Sequence, residues 1–342
     1  MPSLRHSSDR EPGYARRRRG KGWSYLDPGG GPVTSPRLRA RLESLAIPPA
    51  WEDVWICRSS RGHLQATGRD EAGRTQYIYH QAWHEQRQRE KYERILRFAE
   101  GLPEIRRITT GHLRRKRLHR EKALAAAVQI LDRTRIRVGG EQYAVRHTTY
   151  GLATLRSKHL TIEGDTVVLD FRGKGGIDNH VEITSARLAR IVAEMDSLPG
   201  HEVLAYRDDH GEVADVRSED VNAYIKESMG EDFSAKDFRT WAGTVAAAVA
   251  LDEVGPLEGA RERQRAVARV CRVAADLLGN TPAVCRASYI DPRVIDHFLD
   301  GRTISSLVGE IDATLRNGHS GEELAVLALL RRGLESRRPA RR

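Results

Sequence analysis

Leu278-Gly279-Asn280-Thr281-Pro282-Ala283-Val284-Cys285-Arg286-Ala287-Ser288-Tyr289-Ile290-Asp291-Pro292 reads as the end of one helix, a Gly-Asn turn, and a short helix opened by Pro282 at its first position. The short helix carries a single phenol, Tyr289, near its far end. Taken alone, Tyr289 is an amphipathic side chain packed at a domain surface. Its company upstream suggests more. Arg137, Lys174, Arg239 and Asn280 precede it in an order that has chemical meaning.

The chain around this stretch has 342 residues, a length that suggests two domains with real cores. Its 57 Lys and Arg against 47 Asp and Glu leave a net charge of +10. A surplus of that size favours a polyanionic partner, without separating DNA, RNA and acidic membrane. No apolar run approaches the ~18 residues of a membrane span, so no membrane association is expected. The start, Met1-Pro2-Ser3-Leu4-Arg5-His6, is followed by no apolar core of a secretory signal. Cys57, Cys271 and Cys285 are odd in number and widely spaced, which suits reduced packing residues. The expected location is cytoplasmic, associated with the nucleoid.

The basic residues bracket the chain. Residues 1–22, with Arg16-Arg17-Arg18-Arg19, read as a disordered basic tail, and 337–342 as a smaller one. Residues 23–90 form a β-rich N-terminal domain. Pro36–Leu45 has helical spacing, followed by strand-like runs at Val54–Arg58, His63–Arg69 and Thr75–Tyr79. Period-two alternation puts Tyr77 and Tyr79 on one face, either as sheet aromatics or leaning on DNA beside Arg69 and Arg74.

Residues 91–336 form a mainly helical domain. A helix from Ala82 to about Ala99 ends before Gly101-Leu102-Pro103. A basic helix then carries Arg114, Arg115, Lys116, Arg117, Arg120 and Lys122 into apolar Ala123–Leu131, as a solvated face or a phosphate-contacting one. Two glycines after Arg137 allow a tight turn against something close, and a helix restarts at Glu141. Val167–Gly173 and Asn179–Ile183 flank a hairpin with Lys174 at its tip. Helices are predicted over Ser185–Leu198, Ser218–Met229, Ala235–Val254, Gly259–Leu278 and Gly321–Ser336. The fold class is α+β.

The chain holds no Walker-type phosphate loop, no His/Cys cluster at metal-ligand spacing, no Gly-x-Ser-x-Gly elbow and no obvious carboxylate pair for Mg²⁺. No cofactor is expected. An enzyme that acts on phosphodiesters without metal or nucleotide must supply positive charge from side chains. Arg is suited because its planar fork meets two phosphate oxygens at once. A covalent nucleophile is needed if the bond energy is to be kept, and a phenol ionises far more readily than an alkyl alcohol. The departing deoxyribose 5′-oxygen needs a proton, which a lysine can supply if neighbouring cations lower its pKa.

These residues carry a resemblance. Arg135-Ile136-Arg137-Val138-Gly139, Thr149-Tyr150-Gly151-Leu152-Ala153-Thr154-Leu155, Phe171-Arg172-Gly173-Lys174-Gly175, Lys236-Asp237-Phe238-Arg239-Thr240-Trp241 and Ser288-Tyr289 resemble the motifs of the compact type IB DNA topoisomerases, poxvirus-like and bacterial, in order and approximate spacing. The resemblance covers about residues 23–335. It implies that Arg137 and Arg239 hold the scissile phosphate, that Lys174 is the general acid and that Tyr289 forms a 3′-phosphotyrosyl link. Family members usually have histidine nine positions before the tyrosine. This chain has Asn280 there, which can donate a hydrogen bond to a phosphate oxygen but cannot titrate. The resemblance also implies a monomer whose two domains form a clamp around duplex DNA, with Tyr77, Tyr79, Arg69, Arg74, Arg114, Arg115, Arg117 and Tyr150 as DNA contacts. Relaxation would need no ATP.

Three rivals remain. A tyrosine recombinase uses a similar residue set, but typically has a His two or three positions before its second Arg, where this chain has Lys236 and Asp237. A non-catalytic DNA-binding clamp is hinted at by Asn280 alone. An RNA-binding module would need an aromatic motif that is absent.

Overall fold

A computed structural model describes residues 3–20, 22–141, 144–145, 148–230, 233–306 and 318–335. The chain forms two compact units, Met1–Glu93 and Arg94–Arg342.

Unit 1 is an antiparallel five-stranded sheet of order β2-β1-β3-β4-β5, made of β1 (Tyr14–Arg19), β2 (Gly22–Leu26), β3 (Glu52–Ile56), β4 (Leu64–Arg69) and β5 (Thr75–Tyr79). Helix α1 (Pro36–Ser44) begins with Pro36 after an N-cap at Ser35, whose hydroxyl accepts from the Leu38 N–H. Leu42 buries its face of α1 against Tyr25, Ile47, Val54, Ile56 and Ala66.

The disordered N-terminal tail is a correction, because β1 is an integral strand of this sheet. The Arg16 guanidinium donates to the carbonyls of Ile47, Pro48 and Trp51 and lies 4.0 Å over the Trp23 ring. Such bonds fix a strand that composition alone would leave solvated. The C-terminal run 337–342 lies outside the described residues.

A second correction concerns α2 (Gln81–Leu113), which runs unbroken through Gly101 and Pro103. Proline leaves the carbonyl four residues back without its helical donor. The His319 Nε2 makes that hydrogen bond to the Ala99 oxygen at 2.7 Å. Leu102 and Ile105 are fully buried beside it. Burying each contributes ~1.5–3 kcal/mol, enough together to outweigh the ~3 kcal/mol that an internal proline costs.

The expected basic helix is a third correction. Arg114–His119 is an irregular connection, and α3 (Arg120–Thr134) begins only at Arg120. Leu118 is buried there and its carbonyl accepts from the Arg207 N–H, which holds the backbone out of a helical path. In unit 2, α3 is buried along most of its length. Around it stand the sheet of β6 (Leu160–Glu163), β7 (Thr166–Arg172) and β8 (Asp178–Thr184), and the small hairpin of β9 (Ala205–Arg207) and β10 (Val213–Asp215). The helices are α4 (Ala186–Asp196), α5 (Ser218–Met229), α6 (Ala235–Val254), α7 (Ala260–Leu278), α8 (Pro282–Ser288), α9 (Pro292–Leu299) and α10 (Gly321–Glu335). The helix expected from Glu141 falls on a stretch in which 142, 143, 146 and 147 lie outside the described residues.

A partly buried charge network fixes α6. Arg106 pairs with Asp132 and Glu323, each at 2.8 Å, and Glu323 accepts from the Trp241 indole at 3.1 Å. Burial works against the Arg106 charge, but its bonds to the two carboxylates outweigh this and raise the guanidinium above its ordinary value.

Candidate active site

The opening stretch folds as its residues dictate. Helix α7 ends at Gly279 in the left-handed conformation, Thr281 caps α8 by accepting from the Val284 N–H, and Pro282 takes the first helical position. Tyr289 is the C-cap of α8, and Asp291 caps α9, so the phenol stands on a short link between two capped helices.

That link is held from α6. A β-carbon built at Gly243 would come 2.8 Å from the Tyr289 carbonyl oxygen and 3.3 Å from Tyr289 Cβ, so no side chain fits there. The fully buried Thr244 hydroxyl lies 3.3 Å from the same carbonyl and accepts from the Asp291 N–H at 3.1 Å. The Asp291 carboxylate is in turn chelated by the Arg293 guanidinium at 2.6 Å, both groups buried. Sequence reasoning missed Gly243 and Thr244. Their only signal was a small residue beside a hydroxyl, within a turn of Arg239.

Arg137 follows the left-handed end of α3 at Arg135. The tight turn after it has its partner in Gly151. Gly139, at φ +86, packs so that an added β-carbon would be 2.9 Å from the Gly151 Cα. The Leu152 N–H donates to the Arg137 carbonyl and the Ala153 N–H to the Val138 carbonyl, locking the two segments together. The Arg137 guanidinium donates to the Gly279 carbonyl at 3.1 Å and to the Asn280 side-chain oxygen at 2.6 Å.

Arg239, on α6, is 4 % exposed. It donates to the carbonyls of Arg135 and Leu278, its Nε has no acceptor among the described residues, and its Cζ lies 5.4 Å from the centre of the Tyr289 ring. Burial and then the Arg137 charge push its guanidinium down from its ordinary value, while Tyr289 opposes the shift. Among the described residues neither Arg137 nor Arg239 makes an ion pair; their acceptors are carbonyls and an amide. Two guanidiniums without a counter-charge make a site for an anion.

Lys174 is exposed in the turn between β7 and β8, as its hairpin predicts. With Arg137, Arg239, Tyr289, half-buried Tyr150 and Lys236 it lines one cleft of about 540 Å³. Asn280 is not one of the lining residues; it is held beside the cleft by its bond from Arg137. Among the other expected DNA contacts, Arg114, Arg115 and Arg117 are exposed on the α2–α3 connection, with Arg115 3.3 Å from Glu121. In unit 1, Tyr77 is 51 % exposed and its ring stacks at 6.0 Å on that of half-buried Tyr79. Arg74 pairs with Asp70 at 2.8 Å, and Arg69 lies 3.7 Å from Asp53.

An α+β chain whose helical unit gathers two arginines, a lysine and a tyrosine in an anion-seeking cleft belongs with proteins that handle phosphodiesters through side chains. Comparison with known proteins makes that specific. Residues 80–300 match the catalytic core of eukaryotic DNA topoisomerase I, and residues 22–70 match the N-terminal domain of bacterial DNA topoisomerase IB. The chain belongs to the type IB DNA topoisomerases, isomerases that act on DNA. It is 28% identical over 257 residues to DNA topoisomerase 1B of Acanthamoeba polyphaga mimivirus, covering 73% of this chain and 76% of that protein. It is 24% identical over 260 residues to DNA topoisomerase I of Monkeypox virus, with 73% and 76% covered. No helix among the described residues is long and apolar enough to cross a membrane.

Proposed function

We propose that this topoisomerase relaxes supercoiled duplex DNA by transient single-strand cleavage at Tyr289. The phenol loses its proton to solvent and its oxygen attacks the scissile phosphorus, forming the 3′-phosphotyrosyl bond as the bond to the 5′-oxygen breaks. Lys174 gives its proton to the departing 5′-oxygen. Arg137 and Arg239 meet the charge that builds on the non-bridging oxygens, and the Asn280 amide adds a neutral donor. Religation is the reverse: the 5′-hydroxyl attacks phosphorus, the phenol leaves, and one phosphodiester replaces another. Bond count is conserved in each half, so relaxation runs down the supercoiling free energy without ATP.

The observation that carries this reading is the meeting of Arg137, Arg239, Lys174 and Tyr289 on one cleft. Tyr77, Tyr79, Arg69, Arg74, Arg114, Arg115, Arg117 and Tyr150 serve as DNA contacts in it. The enzyme works as a monomer clamped on DNA, in the cytoplasm at the nucleoid, with Met1–Glu93 as its N-terminal unit and Arg94–Arg342 as its catalytic unit.

The test is relaxation of a supercoiled plasmid in EDTA without ATP. Wild type should relax it and leave protein covalently on a 3′ end. Tyr289→Phe should do neither while still binding DNA in a salt-sensitive way. Covalent capture by the Phe variant would remove Tyr289 as nucleophile. Dependence on a recombination site would favour a recombinase.

A further inference from the structure

The four consecutive arginines of β1 are not equivalent. Arg16 is spent on three backbone carbonyls and the Trp23 ring. Arg17, Arg18 and Arg19 are exposed and make no ion pair among the described residues. Their position follows from the pairing. Strand β1 meets β3 only through Tyr14 and Ala15, whereas it pairs with β2 along Ala15–Arg19. Beyond Ala15 the two strands therefore run on as a two-stranded ribbon that overhangs the rest of the sheet.

Strand alternation sorts the ribbon's faces. Arg16 and Arg18, with their register neighbours Tyr25 and Trp23, share the face that packs toward the core, where Tyr25 is buried. Arg17 and Arg19 point to the other face, where their register partners Ser24 and Gly22 add little bulk. No acidic residue occurs between Glu11 and Asp27, so nothing within the ribbon neutralises them. Like charges this close cost stability unless an external anion meets them. An antiparallel strand rises ~3.4 Å per residue, equal to the axial rise per phosphate along one DNA strand, so Arg17 and Arg19 are spaced to meet separate phosphates. A two-stranded ribbon is also of a width that a DNA groove admits.

We infer that the β1–β2 ribbon is an additional surface for the phosphate backbone of duplex DNA, with Arg17 and Arg19 as its contacts. The matched N-terminal domain begins at residue 22, so β1 precedes everything that comparison covers. The inference rests on duplex DNA being the partner, which plasmid relaxation tests separately.

The experiment measures the affinity of full-length Tyr289→Phe protein for a linear duplex across a salt series. It is repeated with Arg17 and Arg19 both changed to Ala, and again with both changed to Lys. Each lost phosphate contact lowers the slope of log affinity against log salt by ~0.9, so the Ala variant should lose about 2 from it. The Lys variant keeps the charges and should keep the slope. An unchanged slope in the Ala variant overturns the inference and makes these arginines a solvated face. An equal loss in the Lys variant overturns it too, since the change would then be conformational and not electrostatic.

Discussion

The Arg137 guanidinium donates to the Asn280 side-chain oxygen at 2.6 Å, and this one bond fixes which way the amide faces. Arginine has no acceptor, so the oxygen must be the atom turned toward it. The amide nitrogen is left with a single long contact, 3.4 Å to the Leu278 carbonyl. Its donor capacity is thus oriented and mostly unspent. Asn280→Ala should slow single-turnover cleavage by roughly one to three decades, the size of a lost oxyanion donor. Asn280→Asp should be worse than Ala, because its carboxylate still accepts from Arg137 but repels the phosphate. Equal rates for wild type and Ala, in rapid-quench cleavage of a short duplex, would leave Asn280 a structural role only.

Lys174 is proposed to protonate the leaving 5′-oxygen. Lys174→Ala should therefore reduce cleavage about 10²–10⁴-fold, the usual weight of general acid catalysis. If the bridging 5′-oxygen is replaced by sulfur, which leaves as a thiolate without a proton, the variant and wild type should cleave at similar rates. A persistent defect on the sulfur substrate would reassign Lys174 to phosphate binding.

Gly243 admits no side chain beside the Tyr289 backbone. Gly243→Ala should push Tyr289, the proposed nucleophile, off line, and a misplacement near 1 Å can cost about 10² in rate. Cleavage should fall by that order while the salt slope of DNA binding stays at the wild-type value. Loss of binding together with cleavage would mean that the substitution had disturbed the whole unit.

Tyr224 lies in the core of unit 2, where its hydroxyl is 2.7 Å from His112 Nδ1. Burial pushes the phenol up to about 12. Because the folded-state value is raised above the ordinary ~10, the neutral phenol's contribution to stability is complete below pH ~10. It is lost as pH rises from there through about 12. Ultraviolet difference titration should show late tyrosine ionisation, part of which Tyr224→Phe removes. Ionisation of every tyrosine near pH 10 in the folded protein would contradict this.

Much of the site was legible in the chain because its residues are set by local rules. The Gly279-Asn280-Thr281-Pro282 turn, the Lys174 hairpin and the boundaries of α5 and α6 follow from caps, prolines, glycines and periodicity, which act within a few residues. Where expectation failed, the deciding partner was far away in sequence. Pro103 stays inside α2 because His319 takes up the Ala99 carbonyl. Arg16 belongs to a strand because Ile47, Pro48 and Trp51 present carbonyls to it. The basic run at Arg114–Arg117 is a connection because Leu118 is buried against β9.

The sequence by itself determined the class of chemistry, since the order and type of Arg137, Lys174, Arg239 and Tyr289 are properties of the chain alone. Only the tertiary structure decided how those groups are held. The Asn280 amide is oriented from Arg137, 143 residues away, and the Tyr289 backbone is held by Gly243 and by Thr244, which lies 45 residues away. Hydrogen bonds and close packing act over a few ångströms whatever the sequence separation, so no local pattern could record them.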